Sequence, residues 1–242
     1  VSTIITMMTV KLSTLPLTLE SLTCQEELPR RVIIADDGSC DGTREWLDAS
    51  PVWPFPLGYV TQKHSGYGLT VIENLAAHFV LEGRILFTNA DMVHNPSSVK
   101  THGTMDACEV AGGRIYEVSL PAAMRIRACD IRDFSRLVGI FKSNRGQLSN
   151  SNYFIRDAEY NMYGIWGGNF SVDAERFHAV DGFNEDYRSK YGGEESDLTE
   201  RMKKQGNRPA WAYNSTAFHL AHRKKAYGVR ALGNQKYRKE YL

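Results

Sequence analysis

Cysteine is scarce in this 242-residue chain: Cys24, Cys40, Cys108 and Cys129 stand far apart, with no CxxC pair. That spacing excludes a zinc site built on cysteine, and the length argues against a disulfide scaffold, so the thiols are read as reduced in a cytoplasmic protein. Long apolar runs are missing too, and none approaches the roughly 20 residues of a membrane span. The opening VSTIITMMTV has no basic segment ahead of its apolar residues and reads as a strand, not a signal peptide. Charge of one sign is also lacking: 29 Lys/Arg against 28 Asp/Glu leave a net +1, which names no partner. Only residues 223–239 are lopsided, with seven Lys/Arg and no acid. Two phosphate-binding loops are absent. No GxxxxGK(S/T) occurs, which disfavours a P-loop nucleoside triphosphatase. HSGYGLT, with Gly66 and Gly68, lacks the third glycine of the dinucleotide fingerprint. A bound phosphate would have to be neutralised another way, and a metal is the obvious candidate.

What is present is alternation. STIITMMTV and RRVIIADDGS read as strands buried on both faces. Between them, residues 13–27 read as a helix with Leu15, Leu19 and Leu22 on one stripe and Ser13 or Thr14 as cap. CDGTREWLDAS opens a helix with Asp41 as its expected cap, and LGYVTQ is a third strand. GLTVIENLAAHFVLEG is a helix expected to turn Leu69, Ile72, Leu75, Ala76 and Phe79 inward, and GRILFTNAD is a fourth strand. Further on, GGRIYEVSL reads as a strand, CDIRDFSRLVGIF as a helix and KSNRGQLSNSNYF as a loop. Regular structure then resumes, with a helix near Ala174. Strands alternating with helices argue for an α/β fold with right-handed crossovers, whose ligands bind at the carboxyl ends of the strands. Those ends carry Asp36-Asp37-Gly38-Ser39 and Asn89-Ala90-Asp91.

Acids past buried strands have two readings. Asp36 and Asp37 make good turn and cap residues, and they can equally accept hydrogen bonds from a ribose or a base. Asp91 either ends a strand or holds a hard cation that also binds substrate phosphates. His219 and His222, three apart in STAFHLAHRKK, suit surface or packing roles, yet with Asp91 they would give three metal ligands. GGEESDL places Glu194, Glu195 and Asp197 behind two glycines. These acids suit the start of a helix that ends in Lys203-Lys204, and they equally suit a general base.

Taken in order, the buried strand with ADDGS, the helix with Asn74, ILFTNAD, GGNFSVDAERFHAVDGFNEDY, YGGEESDL and FHLAHRKK resemble the nucleotide-sugar glycosyltransferases of the GT-A fold. The front half is similar to the family-2 group. The back half is similar to the β-1,4-galactosyltransferases and related galactosaminyltransferases. The likeness covers about residues 1–95 and 160–228.

The resemblance implies a single domain with a mostly parallel, Rossmann-like sheet flanked by helices. Residues 1–98 would be its nucleotide-binding half, 99–160 a variable region and 161–242 the acceptor and metal half. It implies that Asp36 and Asp37 contact the nucleoside and that Asn89 hydrogen-bonds a ribose. Asp91 and His222 would bind Mn2+ or Mg2+, with His219 where the family places a methionine ligand. Gly167 and Gly168 would let the donor sugar approach, Glu194 and Asp197 would bind hydroxyls, and Glu195 would be the base. The sequence departs from the family at Asn89, where the usual residue is an acid, and at Glu195, where it is the shorter Asp. Trp166, Tyr163, Tyr187 and Tyr191 are read as sugar-stacking or core aromatics. The expected donor is a nucleotide diphosphate sugar, most commonly of uridine. The expected acceptor is a glycan hydroxyl, with nucleic acid or another polyanion as the alternative. Rival readings are a retaining transferase of the same fold, a nucleotidyltransferase and a non-catalytic sugar-nucleotide binding module.

Overall fold

A computed structural model describes residues 2–8, 11–50, 52–143, 148–150, 165, 167–189 and 192–221. Trp166, Tyr163, Tyr191, His222 and the basic run at 223–239 lie outside the described residues. Strands β1 (Ser2–Met8), β2 (Arg31–Asp36), β3 (Leu57–Thr61) and β4 (Arg84–Asn89) pair in parallel, in the order β3-β2-β1-β4. The sheet then continues through β8 (Phe170–Asp173), β6 (Glu109–Val118), β9 (Arg208–Leu220) and β5 (Met92–His94). The joins β4–β8, β8–β6 and β9–β5 are antiparallel, while β6 and β9 run parallel.

The continuous apolar run of β2 follows from cover on both faces. Val32 and Ile34 face α1 (Leu15–Thr23), which buries Leu15, Leu19 and Leu22 against them as its stripe predicts. Ile33 and Ala35 face the other way, into a core shared with Ile72 and Ala76 of α3 (Leu69–Ala77) and with Phe87 of β4. There Phe87 meets Phe170, Phe177 and Phe183 with ring centroids 5.0–5.3 Å apart.

Several local expectations change. Thr14 does stand at the N-cap of α1, but its hydroxyl donates to the Lys11 carbonyl instead of capping the helix. Asp41 does not cap α2 (Thr43–Asp48); Gly42 stands there, and Asp41 accepts from Thr43 Oγ1 and from the Leu12 N–H, tying the helix to the loop after β1. Leu75 and Phe79 are exposed, at 41% and 56%. The buried seam of α3 runs through Leu69, Ile72, Glu73 and Ala76, and Leu75 stands about 200° from Glu73 around the axis. The helix also ends before Phe79, so its periodicity no longer governs that residue. Past α4 (Ser98–Gly103) and α5 (Leu120–Ala123), the segment 129–141 is split between α6 (Ala128–Ile131) and α7 (Phe134–Ser143). Asp133 restarts the chain there, accepting from the Arg136 N–H and the Ser135 hydroxyl. Within the stretch expected as loop, β7 (Leu148–Asn150) adds a short strand to β6. Among the described residues no helix is long and apolar enough to cross a membrane.

Asn74 holds α3 to the segment after α8 (Ala174–His178). Its Nδ2 donates to the Phe183 carbonyl and its Oδ1 accepts the Phe183 N–H, both at 2.8 Å. Phe183 is 2% exposed, so removing the amide strands two buried backbone groups. Asn74→Ala is expected to lower stability by about 2 to 4 kcal/mol, read as a fall in urea midpoint at unchanged m-value.

Candidate active site

Parallel pairing of β1, β2 and β4 puts the ends of β2 and β4 on one edge of the sheet. Asp36 is fully buried at that edge. Its Oδ1 accepts from the Ser39 N–H and hydroxyl, and its Oδ2 from the Tyr59 hydroxyl. It therefore shapes the turn. Asp37 is 3% exposed, with Oδ1 accepting from Gln62 Nε2 and Oδ2 lying 2.7 Å from His64 Nδ1. Asn89 closes β4 and is partly exposed.

Asp91, 2% exposed, sits just past β4. Its Oδ2 takes the Lys11 ammonium at 2.5 Å and lies 3.4 Å from Nε2 of His219. The other nitrogen of His219 is 2.8 Å from Glu117 Oε2. Strand pairing explains the meeting, since His219 of β9 is in register with both Glu117 of β6 and Met92 of β5. Burial lowers the His219 pKa, but the hydrogen bonds to Asp91 and Glu117 outweigh it and raise it to about 10.

This donor set fits a divalent cation. Two cis ligands at about 2.1 Å from an octahedral ion stand about 3 Å apart, close to the spacing of Oδ2 and Nε2. A carboxylate on the far nitrogen is the usual support for a metal-binding histidine. Among the described residues no group of three His, Cys, Asp or Glu side chains closes around one point; Asp91 and His219 would supply two ligands, and His222 lies outside the described residues.

The two glycines link this pair to the acids. The N–H of Gly167 donates to Oε1 of Glu195 at 2.9 Å, and a Cβ on Gly167 would come within 2.6 Å of that oxygen. A Cβ on Gly168 would come within 2.1 Å of Cε of Met92, the neighbour of Asp91. Behind them, Thr88 Oγ1 donates to the Gly168 carbonyl.

Glu194 and Glu195 open α9 (Glu194–Lys204), whose last turn carries Arg201, Lys203 and Lys204. Burial and then the charge of Glu194 raise the Glu195 pKa to about 7. Burial also raises Glu194, whose Oε1 accepts from the Tyr67 hydroxyl. Asp197 pairs with Arg201 on its own helix at 2.8 Å, so one of its oxygens is engaged there.

Three residues at the site escaped sequence reading. Glu73, 2% exposed, has its pKa raised well above the ordinary range by burial and then by Glu195 and Glu194. Its signal was an acid inside the apolar seam of a helix. Glu117 lay in the stretch without a resemblance, and nothing local to Lys11 points to Asp91, 80 residues further on.

Two family models match the chain: glycosyl transferase family 2 over residues 2–102, and the N-terminal domain of galactosyltransferase over residues 151–224. No curated protein matches it. Solved structures share its fold at low identity. Residues 1–349 of S. aureus TarS in complex with UDP-GlcNAc are 14% identical at a TM-score of 0.66, covering 93% of this chain and 59% of that one. GalNAc-T7 with UDP, GalNAc and Mn2+ is 12% identical at 0.66, covering 91% and 44%. The mannosyltransferase PcManGT from Pyrobaculum calidifontis, in complex with GDP-Man and Mn2+, is 17% identical at 0.58, covering 92% and 57%. The chain thus spans about half the length of these relatives.

Proposed function

We propose that this chain, a glycosyltransferase domain of the GT-A type, moves a sugar from a nucleoside diphosphate sugar to an acceptor hydroxyl with inversion, using Glu195 as the general base. The observation that carries this reading is the run of contacts from Glu195 through Gly167 and Gly168 to Met92 beside Asp91. A hexose lying along the two glycines would have the carboxylate on one side and the Asp91–His219 pair on the other. Two of the structural relatives carry UDP or UDP-GlcNAc, and a uridine diphosphate sugar is the proposed donor.

In the reaction, Oε2 of Glu195 accepts the acceptor hydroxyl proton while Oε1 stays anchored on the Gly167 N–H. The hydroxyl oxygen bonds to the anomeric carbon on the face opposite the diphosphate. The bond to the diphosphate oxygen breaks, and its electron pair leaves with the nucleotide. A divalent cation held by Asp91, His219 and His222 would supply Lewis-acid stabilisation of the leaving diphosphate. Asp37, buried under Gln62 and His64, is proposed to set the floor for the nucleoside, and Asn89 to meet the ribose. Residues 99–160 are proposed to select the acceptor, a glycan hydroxyl.

The test is a donor screen with Mn2+, scoring nucleoside diphosphate release across UDP- and GDP-sugars, followed by NMR of the product anomer. Release from a UDP-sugar with an inverted product is expected. A retained configuration removes the base role of Glu195, and the absence of release from every donor removes the transferase reading.

A further inference from the structure

Four charged groups meet at the proposed cation site: Asp91 and His219, which were expected there, and Lys11 and Glu117, which were not. Lys11 stands just ahead of the turn that leads into α1 and is fixed in place: its carbonyl accepts the N–H groups of Thr14 and Leu15, at the start of that helix. Its side chain is 21% exposed, and its ammonium touches Oδ2 of Asp91. That oxygen is the same one that Nε2 of His219 faces at 3.4 Å. A divalent ion held between Oδ2 and Nε2 would lie within a few ångströms of the ammonium, where like charges repel strongly.

We propose that Lys11 and the divalent cation are alternative occupants of Oδ2 of Asp91, with Glu117 as a positioning residue that keeps Nε2 of His219 turned toward that oxygen. Lys11 neutralises a carboxylate that is 2% exposed while the ion is away. When the ion arrives, the lysine is released at the mouth of the site, beside where the donor diphosphate would lie. Glu117 holds the imidazole by its Nδ1 in both states. Cation binding is therefore an exchange: Lys11 leaves Oδ2 of Asp91, any proton on Nε2 of His219 passes to solvent, and how firmly Lys11 holds Asp91 is one determinant of the affinity. This inference rests on the cation site proposed above, and its test separates the two.

The measurement is Mn2+ binding to the full chain without nucleotide, followed by the loss of the free-ion electron paramagnetic resonance signal. Wild type, Lys11→Met, Lys11→Arg, Glu117→Gln and Asp91→Ala are compared, with circular dichroism as the check on folding. Lys11→Met is expected to bind Mn2+ about 10-fold tighter or more, and Lys11→Arg within about 3-fold of wild type, because the charge and not the packing is the competitor. Glu117→Gln is expected to bind about 10-fold weaker. Asp91→Ala is expected to bind none. The wild type supplies a second readout that needs no variant: saturating Mn2+ should raise acetylation of Lys11 by acetic anhydride, read by peptide mass spectrometry. If Mn2+ binds and needs Asp91, but Lys11→Met matches the wild type or Lys11 labelling stays constant, the exchange is wrong and the cation site stands. If Mn2+ affinity is indifferent to Glu117→Gln, its positioning role falls. If neither the wild type nor Lys11→Met binds Mn2+, the cation site falls and the exchange with it.

Discussion

Glu195→Gln is expected to cut turnover by about 100- to 10,000-fold, the usual worth of a positioned general base, while nucleotide affinity stays close to wild type. Glutamine keeps an oxygen for the Gly167 N–H, so the anchor survives and only proton acceptance is lost. The pH dependence gives an independent signature. With its pKa raised to about 7 by burial and by Glu194, Glu195 holds its proton below neutrality. The wild-type rate should rise with pH through about 7 and then level, and the residual rate of the variant should lack that rise. Stability should move the opposite way. Between the ordinary carboxylate range and about 7, the native state binds more protons at this residue than the unfolded chain does, so unfolding free energy falls as pH rises across that window. The variant should lose that part of the slope. A wild-type rate profile in Glu195→Gln would remove the residue from the chemistry.

Gly38→Ala is the second large effect. Gly38 has φ +70, and an added Cβ would lie 2.6 Å from the His64 nitrogen and 2.9 Å from the Gln62 carbonyl oxygen. Both are backbone atoms and cannot swing aside. The substitution is expected to cost about 2 to 5 kcal/mol in stability, from the left-handed backbone and from overpacking. It also pushes on the strand end that carries Gln62 and His64, the two side chains that hold Asp37. Donor affinity should therefore fall in the fraction that still folds, measured by calorimetric titration with UDP. Gly206→Ala is the comparison. Gly206 has φ +80 but nothing within 4 Å of a Cβ, so it should show only the backbone share, about 1–2 kcal/mol. Equal effects at the two positions would mean that the contact with the 62–64 backbone is unimportant.

The strands were legible because β2 and β4 are covered on both faces, so burial wrote itself as unbroken apolar residues between polar ends. Asp91 and Glu195 drew attention because ILFTNAD and YGGEESDL follow one another in an order that resembles a known family. Lys11, Glu73 and Glu117 were not, since a single charged residue carries no local mark of its distant neighbours. Glu117 reaches His219 only because β6 and β9 pair in parallel with Glu117 opposite His219, a register set by the whole sheet. Leu75 was misread because apolar spacing fits more than one stripe on α3, and packing chose the one containing Glu73. Asp41 was chemically apt for the cap first expected, but the Leu12 N–H and the Thr43 hydroxyl take its oxygens, while Asp36 accepts from Ser39 and Tyr59 within the strand-end turn.

Burial of Glu73 beside Glu194 and Glu195 bears on how an anionic substrate approaches. Carboxyl groups held toward their neutral form reduce the repulsion that three ionised acids would exert on an arriving diphosphate. The site proposed for the donor is thereby kept receptive to negative charge. On the proposed mechanism, protonated acids ease the approach of the diphosphate below neutrality while proton acceptance by Glu195 speeds the chemistry above it, so the two steps should show opposed pH preferences.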